Sequence, residues 1–94
     1  MSDPIELETR RARLAAELEA LRAGVAELAA GYLALPEQGV LLDTPGIGAL
    51  MTPGYCVAGA REVLEEAAIE LAAAADALHR AGEYTGRLRP VVFD

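Results

Sequence analysis

Residues 7–35, LETRRARLAAELEALRAGVAELAAGYLAL, decide the fold of this chain because their apolar residues repeat every seven positions. The first set of the repeat is Leu7, Leu14, Leu21, Leu28 and Leu35, and the interleaved set is Arg11, Leu18, Val25 and Tyr32. Such a heptad predicts a helix that packs along its whole length. The one charged member, Arg11, is expected to pack its stem at the seam, hold its head in water and fix the register.

The bounds of this helix follow from its flanking residues. Asp3 precedes Pro4, and an Asp oxygen can accept from the free amides of a first helical turn, where proline loses no hydrogen bond. Pro36 disfavours helical geometry at the residue before it. We therefore expect helix 1 at about residues 4–35.

A second helix carries a repeat of different composition. Thr52-Pro53 repeats the start signal, and Gly82 or Gly86 is expected to end the helix, which gives bounds of about 53–83. Its seam alternates one large aliphatic residue with one alanine, as Val57, Leu64, Leu71 and Leu78 against Ala60, Ala67, Ala74 and Ala81. Small residues in such positions let a neighbouring helix approach closely.

The connection at residues 36–52 is too apolar for an ordinary loop, and we expect it to fold onto another surface. Thr44-Pro45 predicts a short helical turn within it, over 45–51. The tail at 87–94 is broken by Pro90 and is expected to be extended. The whole chain of 94 residues is expected to form a single helical domain.

Composition excludes several classes of function. The chain has 15 acidic residues, eight arginines and no lysine, so its net charge of −7 argues against a nucleic-acid binder. No segment resembles a secretory signal or a membrane span. A cytoplasmic location is the default expectation, with export that needs no cleaved signal left open.

Local motifs do not indicate an enzyme. The string 40–47, VLLDTPGI, resembles the Asp-x-x-Gly switch of GTPases, but a phosphate loop needs a lysine that this chain lacks. Cys56 and His79 would lie about 35 Å apart on one helix, too far for a catalytic pair. Cys56 is expected to be a small half-buried residue and His79 a solvated one. We therefore predict no enzyme, no cofactor and no metal site.

Two long antiparallel helices form a hairpin with an apolar face left over, and a second hairpin would cover it. The predicted fold is therefore an all-α helical hairpin that assembles into a four-helix-bundle-like dimer, either homomeric or with a paralogous hairpin. The predicted interface residues are Leu14, Leu18, Leu21, Val25, Leu28, Tyr32, Val57, Ala60, Leu64, Ala67, Leu71, Ala74, Leu78 and Ala81. The predicted partner-docking residues are Leu41, Leu42, Ile47, Leu50, Met51, Tyr55, Tyr84, Val91, Val92 and Phe93.

The size, the alanine-rich hairpin, the acidic charge and the stretch 70–84, ELAAAADALHRAGEY, resemble the small helical-hairpin proteins of type VII secretion, the WXG family and its Esp-type relatives. The resemblance implies a bundle-forming secretion-associated protein. The chain has no Trp for the Trp-x-Gly turn of that family, and Leu88 stands where its export signal, Tyr84-x-x-x-acid, needs an acidic residue.

The leading functional prediction is a non-catalytic protein-interaction module: an adaptor, a chaperone-like partner or a secretion-associated subunit. The alternative is a helical bundle that binds an apolar small ligand or lipid, with residues 40–51 as a lid. The sequence leaves open the identity of the partner, export, and the role of Cys56.

Overall fold

Two long helices make up most of residues 3–45 and 52–91, the part of the chain that the computed structural model describes. Helix α1 runs over Pro4–Ala34 and helix α2 over Pro53–Thr85. They pack antiparallel, because Glu8 near the start of α1 contacts Thr85 at the end of α2. The predicted all-α hairpin is therefore confirmed. Neither of these two helices contains a stretch long and apolar enough to cross a membrane.

Both helices begin where their capping residues predict. The carboxylate of Asp3 accepts a hydrogen bond from the Glu6 amide at 2.8 Å, and the hydroxyl of Thr52 accepts one from the Tyr55 amide at 3.2 Å. A proline follows each cap, where no backbone donor is lost.

The helix ends differ slightly from the prediction. Helix α1 ends at Ala34, and a turn follows over residues 35–39, closed by Gly39 at a φ of 80°. Glycine adopts this left-handed conformation without the steric cost that a side chain would add. Helix α2 extends to Thr85, two residues beyond the expected end, and residues 88–91 form neither helix nor strand. The expected helical turn over 45–51 lies almost wholly outside the described residues.

The hairpin has very little core. Among the described residues only Ala15, Ala29 and Ala75 are buried, and no large side chain is fully buried. The radius of gyration is 20.9 Å, whereas a compact domain of this length would have about 12 Å. Two helices packed together along one line therefore account for most of the described packing.

The predicted heptad does not lie as a single seam against α2. Glu8, Arg11, Ala15 and Ala29 face α2, whereas Leu14, Leu21 and Leu28, predicted as interface residues, are about half exposed. The physical reason is that alanines at the contact let the two helices come closer than leucines would. In α2, Ala74 is exposed and its neighbour Ala75 is buried in its place. The predicted seam residues Leu18, Val25, Val57, Leu64, Leu71 and Leu78 are half-buried.

Candidate interaction surface

A regular row of exposed leucines lies along α1. Leu7, Leu14, Leu21 and Leu28, here called the leucine row, are 50%, 49%, 57% and 50% exposed. Residues seven apart lie above one another on a helix, so the four side chains form a straight ridge about 32 Å long. A single hairpin leaves this ridge in contact with solvent.

A row of alanines lies beside the leucine row on the same face. Ala16 and Asp76, which directly follow the buried Ala15 and Ala75, line one shared groove between the helices. Each residue turns the helix by about 100°, so the residue before a seam position and the residue after it point to opposite faces of the hairpin. Leu14 and Ala74 therefore share the other face. The alanine row consists of Ala60, Ala67, Ala74 and Ala81.

The groove lined by Ala16 and Asp76 lies on the opposite face of the hairpin, here called the rear face. This groove is more polar than the face that carries the leucine row. It has a volume of about 420 Å³ and a floor of alanines from both helices. Glu19, Asp76 and His79 line its edges, and Glu19 pairs with Arg22 at 2.7 Å. The two faces of the hairpin thus differ in chemistry: the leucine row and alanine row on one, charged side chains on the other.

A polar cluster joins the two helices at the open end of the hairpin. The Arg11 guanidinium donates to Glu8 and, at 2.9 Å, to the backbone carbonyl of Leu78. The second Glu8 oxygen accepts from the Thr85 hydroxyl. Gly82 leaves the space for this arrangement, since a Cβ there would lie 2.7 Å from the Arg11 Cζ atom. We call these residues the polar clasp.

The polar clasp corrects one expectation and reveals residues that sequence reasoning missed. Arg11 does sit at the seam, but its head does not reach into water, because its side chain is only 17% exposed and contacts α2. Glu8 and Thr85 carried no functional prediction. The only signal in the sequence was the i,i+3 spacing of Glu8 and Arg11, which cannot reveal a contact 77 residues away.

The charge of Glu8 depends on this arrangement. The hydrogen bond from Arg11 holds the pKa of the Glu8 carboxyl below its ordinary value, and the bond from Thr85 acts in the same direction. The ionised form of Glu8 is therefore favoured in the folded hairpin.

Acid should weaken the polar clasp. Because folding lowers the pKa of Glu8, its contribution is complete above the unfolded value of about 4.3 and disappears as pH falls through the folded pKa. We expect the thermal midpoint of the wild type to fall more steeply than that of Glu8→Gln as the pH is lowered below about 4.3. Circular dichroism melts measure both. The Glu19–Arg22 pair is present in both proteins, so parallel curves would show that Glu8 is not held by the clasp.

The connection contributes apolar clefts next to the start of α2. One, of about 450 Å³, is lined by Leu33, Val40, Leu41 and Leu42 of the α1 side and by Val57 of α2, among others. A neighbouring cleft of about 360 Å³ is lined in part by Tyr32, Asp43 and Cys56. Both are open to solvent, and Leu41 is 96% exposed.

The predicted docking residues do not form one patch. Leu41 and Tyr55 lie at the connection end, whereas Tyr84 and Val91 are exposed at the opposite end, beside the termini. Leu42 is half-buried in the clefts. The remaining predicted docking residues, Ile47, Leu50, Met51, Val92 and Phe93, lie outside the described residues.

The candidates for reactive chemistry are dispersed. Cys56, in the first turn of α2 at the edge of the cleft that Tyr32 also lines, is exposed rather than half-buried. His79 is exposed, as expected. Within residues 3–45 and 52–91, no three His, Cys, Asp or Glu side chains come together as potential metal ligands.

Comparisons with protein-family models, with curated proteins and with solved structures gave no match.

Proposed function

We propose that this chain is a non-catalytic protein–protein interaction module, an adaptor, chaperone-like or secretion-associated subunit, that acts as part of a helical bundle. The observation that carries the proposal is the exposed leucine row. Four leucines about half exposed at a spacing of seven form an apolar ridge of the kind that marks interaction sites on soluble proteins.

The extended shape supports the same proposal. The solvent-accessible area is 7376 Å², whereas a compact monomer of 9.8 kDa would expose about 5,200 Å². The excess of about 2,200 Å² is comparable to the whole area buried by a standard protein–protein interface. A partner that packs on the leucine row would bury part of this surface.

The test is the mass of the full chain in solution. Light scattering after gel filtration should give at least twice the chain mass of 9.8 kDa if the purified protein associates with itself. If it instead binds another helical protein, the complex with that copurified partner should show the higher mass. A protein that is stably folded and monomeric, with no partner recovered under native purification, would contradict the proposal.

A second candidate function is the binding of an apolar small ligand. The observation that favours it is the pair of clefts that share Leu42 in their lining, of about 450 and 360 Å³, within the usual volume range of ligand sites, about 300–1,000 Å³. Native mass spectrometry of the purified protein would detect a retained lipid or cofactor. The leucine row lies mostly outside these clefts, so ligand binding alone would leave it uncovered.

A further inference from the structure

The face that carries the leucine row and the alanine row is here called the leucine face. Its pattern of large and small side chains indicates which partner fits it. The leucine row forms a ridge on α1, and the alanine row forms a lower strip on α2 that Val63, 64% exposed, borders at its outer edge. Between them lie half-buried apolar residues of both helices, Leu18, Val25, Leu64 and Leu71. Glu17 lines one groove with Leu21 and Leu28 on the outer side of α1, and the residues between the two rows are apolar.

A surface with one high row and one low row is complementary to a copy of itself. Cores pack best when large and small residues face each other, because voids and overlaps both cost stability. A two-fold axis parallel to the helices would place the leucine row of one copy over the alanine row of the other. A two-fold axis perpendicular to the helices and parallel to the interface would instead stack leucines on leucines and alanines on alanines. The stacked leucines would hold the two copies apart, and voids would remain between the alanines.

The available area is sufficient for a stable dimer. Helix α1, with 31 residues, is about 46 Å long, and two packed helices are about 20 Å wide. The leucine face therefore offers about 900 Å² per copy, close to the standard value of about 800 Å² per partner. The rear face lacks this continuity, because Glu19, Asp76 and His79 interrupt it.

We propose that the partner of the leucine face is a second copy of this chain, and that the two hairpins pack with the leucine row of each over the alanine row of the other. Both connections then lie at one end of the four-helix bundle and both polar clasps at the other. This arrangement rests on the proposed function, since it specifies the partner and the geometry of the same surface.

The single cysteine of the chain provides the test. Cys56 is exposed at the connection end of α2 and accepts a nitroxide label without any substitution. It lies about 20 Å along the axis from the midpoint of α2. Two labels in the proposed dimer should therefore be about 15–30 Å apart, and in a dimer with opposed ends about 40 Å or more. Pulsed dipolar electron spin resonance distinguishes these distances.

A mixed sample gives the reciprocal control. Cys56→Ser/Glu83→Cys carries its label 27 positions further along α2, near the open end. In a dimer of this variant with the wild type, the proposed arrangement predicts the long distance and the opposed arrangement the short one. A short Cys56 distance and a long mixed distance support the proposal.

The alternative outcomes separate the two proposals. Dimer mass with a long Cys56 distance and a short mixed distance would overturn the proposed packing and leave the interaction module intact. A monomer without dipolar signal would overturn the self-association. If that monomer also bound no partner protein, the proposed function would fail with it.

Discussion

Leu21→Glu should convert the assembled protein into monomers. Leu21 is the most exposed member of the leucine row, at 57%, so a single hairpin should accept a glutamate there with little change in stability. In an assembly through the leucine face, the new carboxylate would be buried without a partner. Burial of an unpaired charge costs several kcal/mol, and each 1.4 kcal/mol is about tenfold in affinity, so we expect dissociation to increase by at least about 100-fold.

The matched control for this substitution is Ile69→Glu. Ile69 is 70% exposed, lies in the other helix and occupies the side of α2 that carries Asp76, away from the leucine face. We expect Ile69→Glu to keep the mass of the wild type. Sedimentation velocity at several concentrations measures both variants, and circular dichroism checks that both remain helical. Dissociation by Ile69→Glu alone would place the interface on the rear face and contradict our interpretation of the surface.

The sequence predicted the local features of the fold because their causes are local. Asp3-Pro4 and Thr52-Pro53 determine both helix starts through hydrogen bonds that span only three residues. The end of α1 was predicted to within one residue, since Pro36 acts on the residue before it. Gly39 was not assigned a role, although a glycine soon after the end of a helix is a common signal for a turn with positive φ.

The sequence could not predict which side of the heptad faces α2. Two columns of α1, the leucine row and the set that contains Arg11, Leu18 and Val25, both repeat every seven residues, so hydrophobicity alone does not choose between them. Two other facts decide. Ala15 and Ala29 permit close approach, and Arg11 finds the carbonyl of Leu78, which is 67 residues away. Contacts of this sequence separation depend on the register of the hairpin.

The candidate surface was predicted in part for the same reason. The repeat of seven made both rows visible, and all their members except Leu7 were named as interface residues. Their position on one common face became apparent only from the antiparallel packing of α1 and α2, which brings Ala16 and Asp76 together on the other side. The apolar surface that the hairpin leaves over includes the ridge of half-exposed leucines on α1.

Ala15→Leu should destabilise the hairpin strongly. Ala15 is 7% exposed and lies at the contact between the helices with Ala75, so the larger isobutyl side chain of leucine would push the helices apart at this point. Overpacking of this kind costs about 1–3 kcal/mol. For a domain of this size each kcal/mol corresponds to a shift of about 4–8 °C, so we expect a large fall in the thermal midpoint. Leucine and alanine have similar helix propensity, which excludes a purely local effect.

Ala20→Leu is the control for the same change in side chain. Ala20 is exposed on the side of α1 that faces away from α2, so the added group meets only solvent and the thermal midpoint should change little. Both variants are melted at one protein concentration, because any assembly makes the midpoint depend on concentration. If Ala15→Leu were as stable as Ala20→Leu, Ala15 would not lie at the helix contact. The leucine row would then have to turn toward α2, and the free apolar face on which the proposed interaction depends would no longer exist.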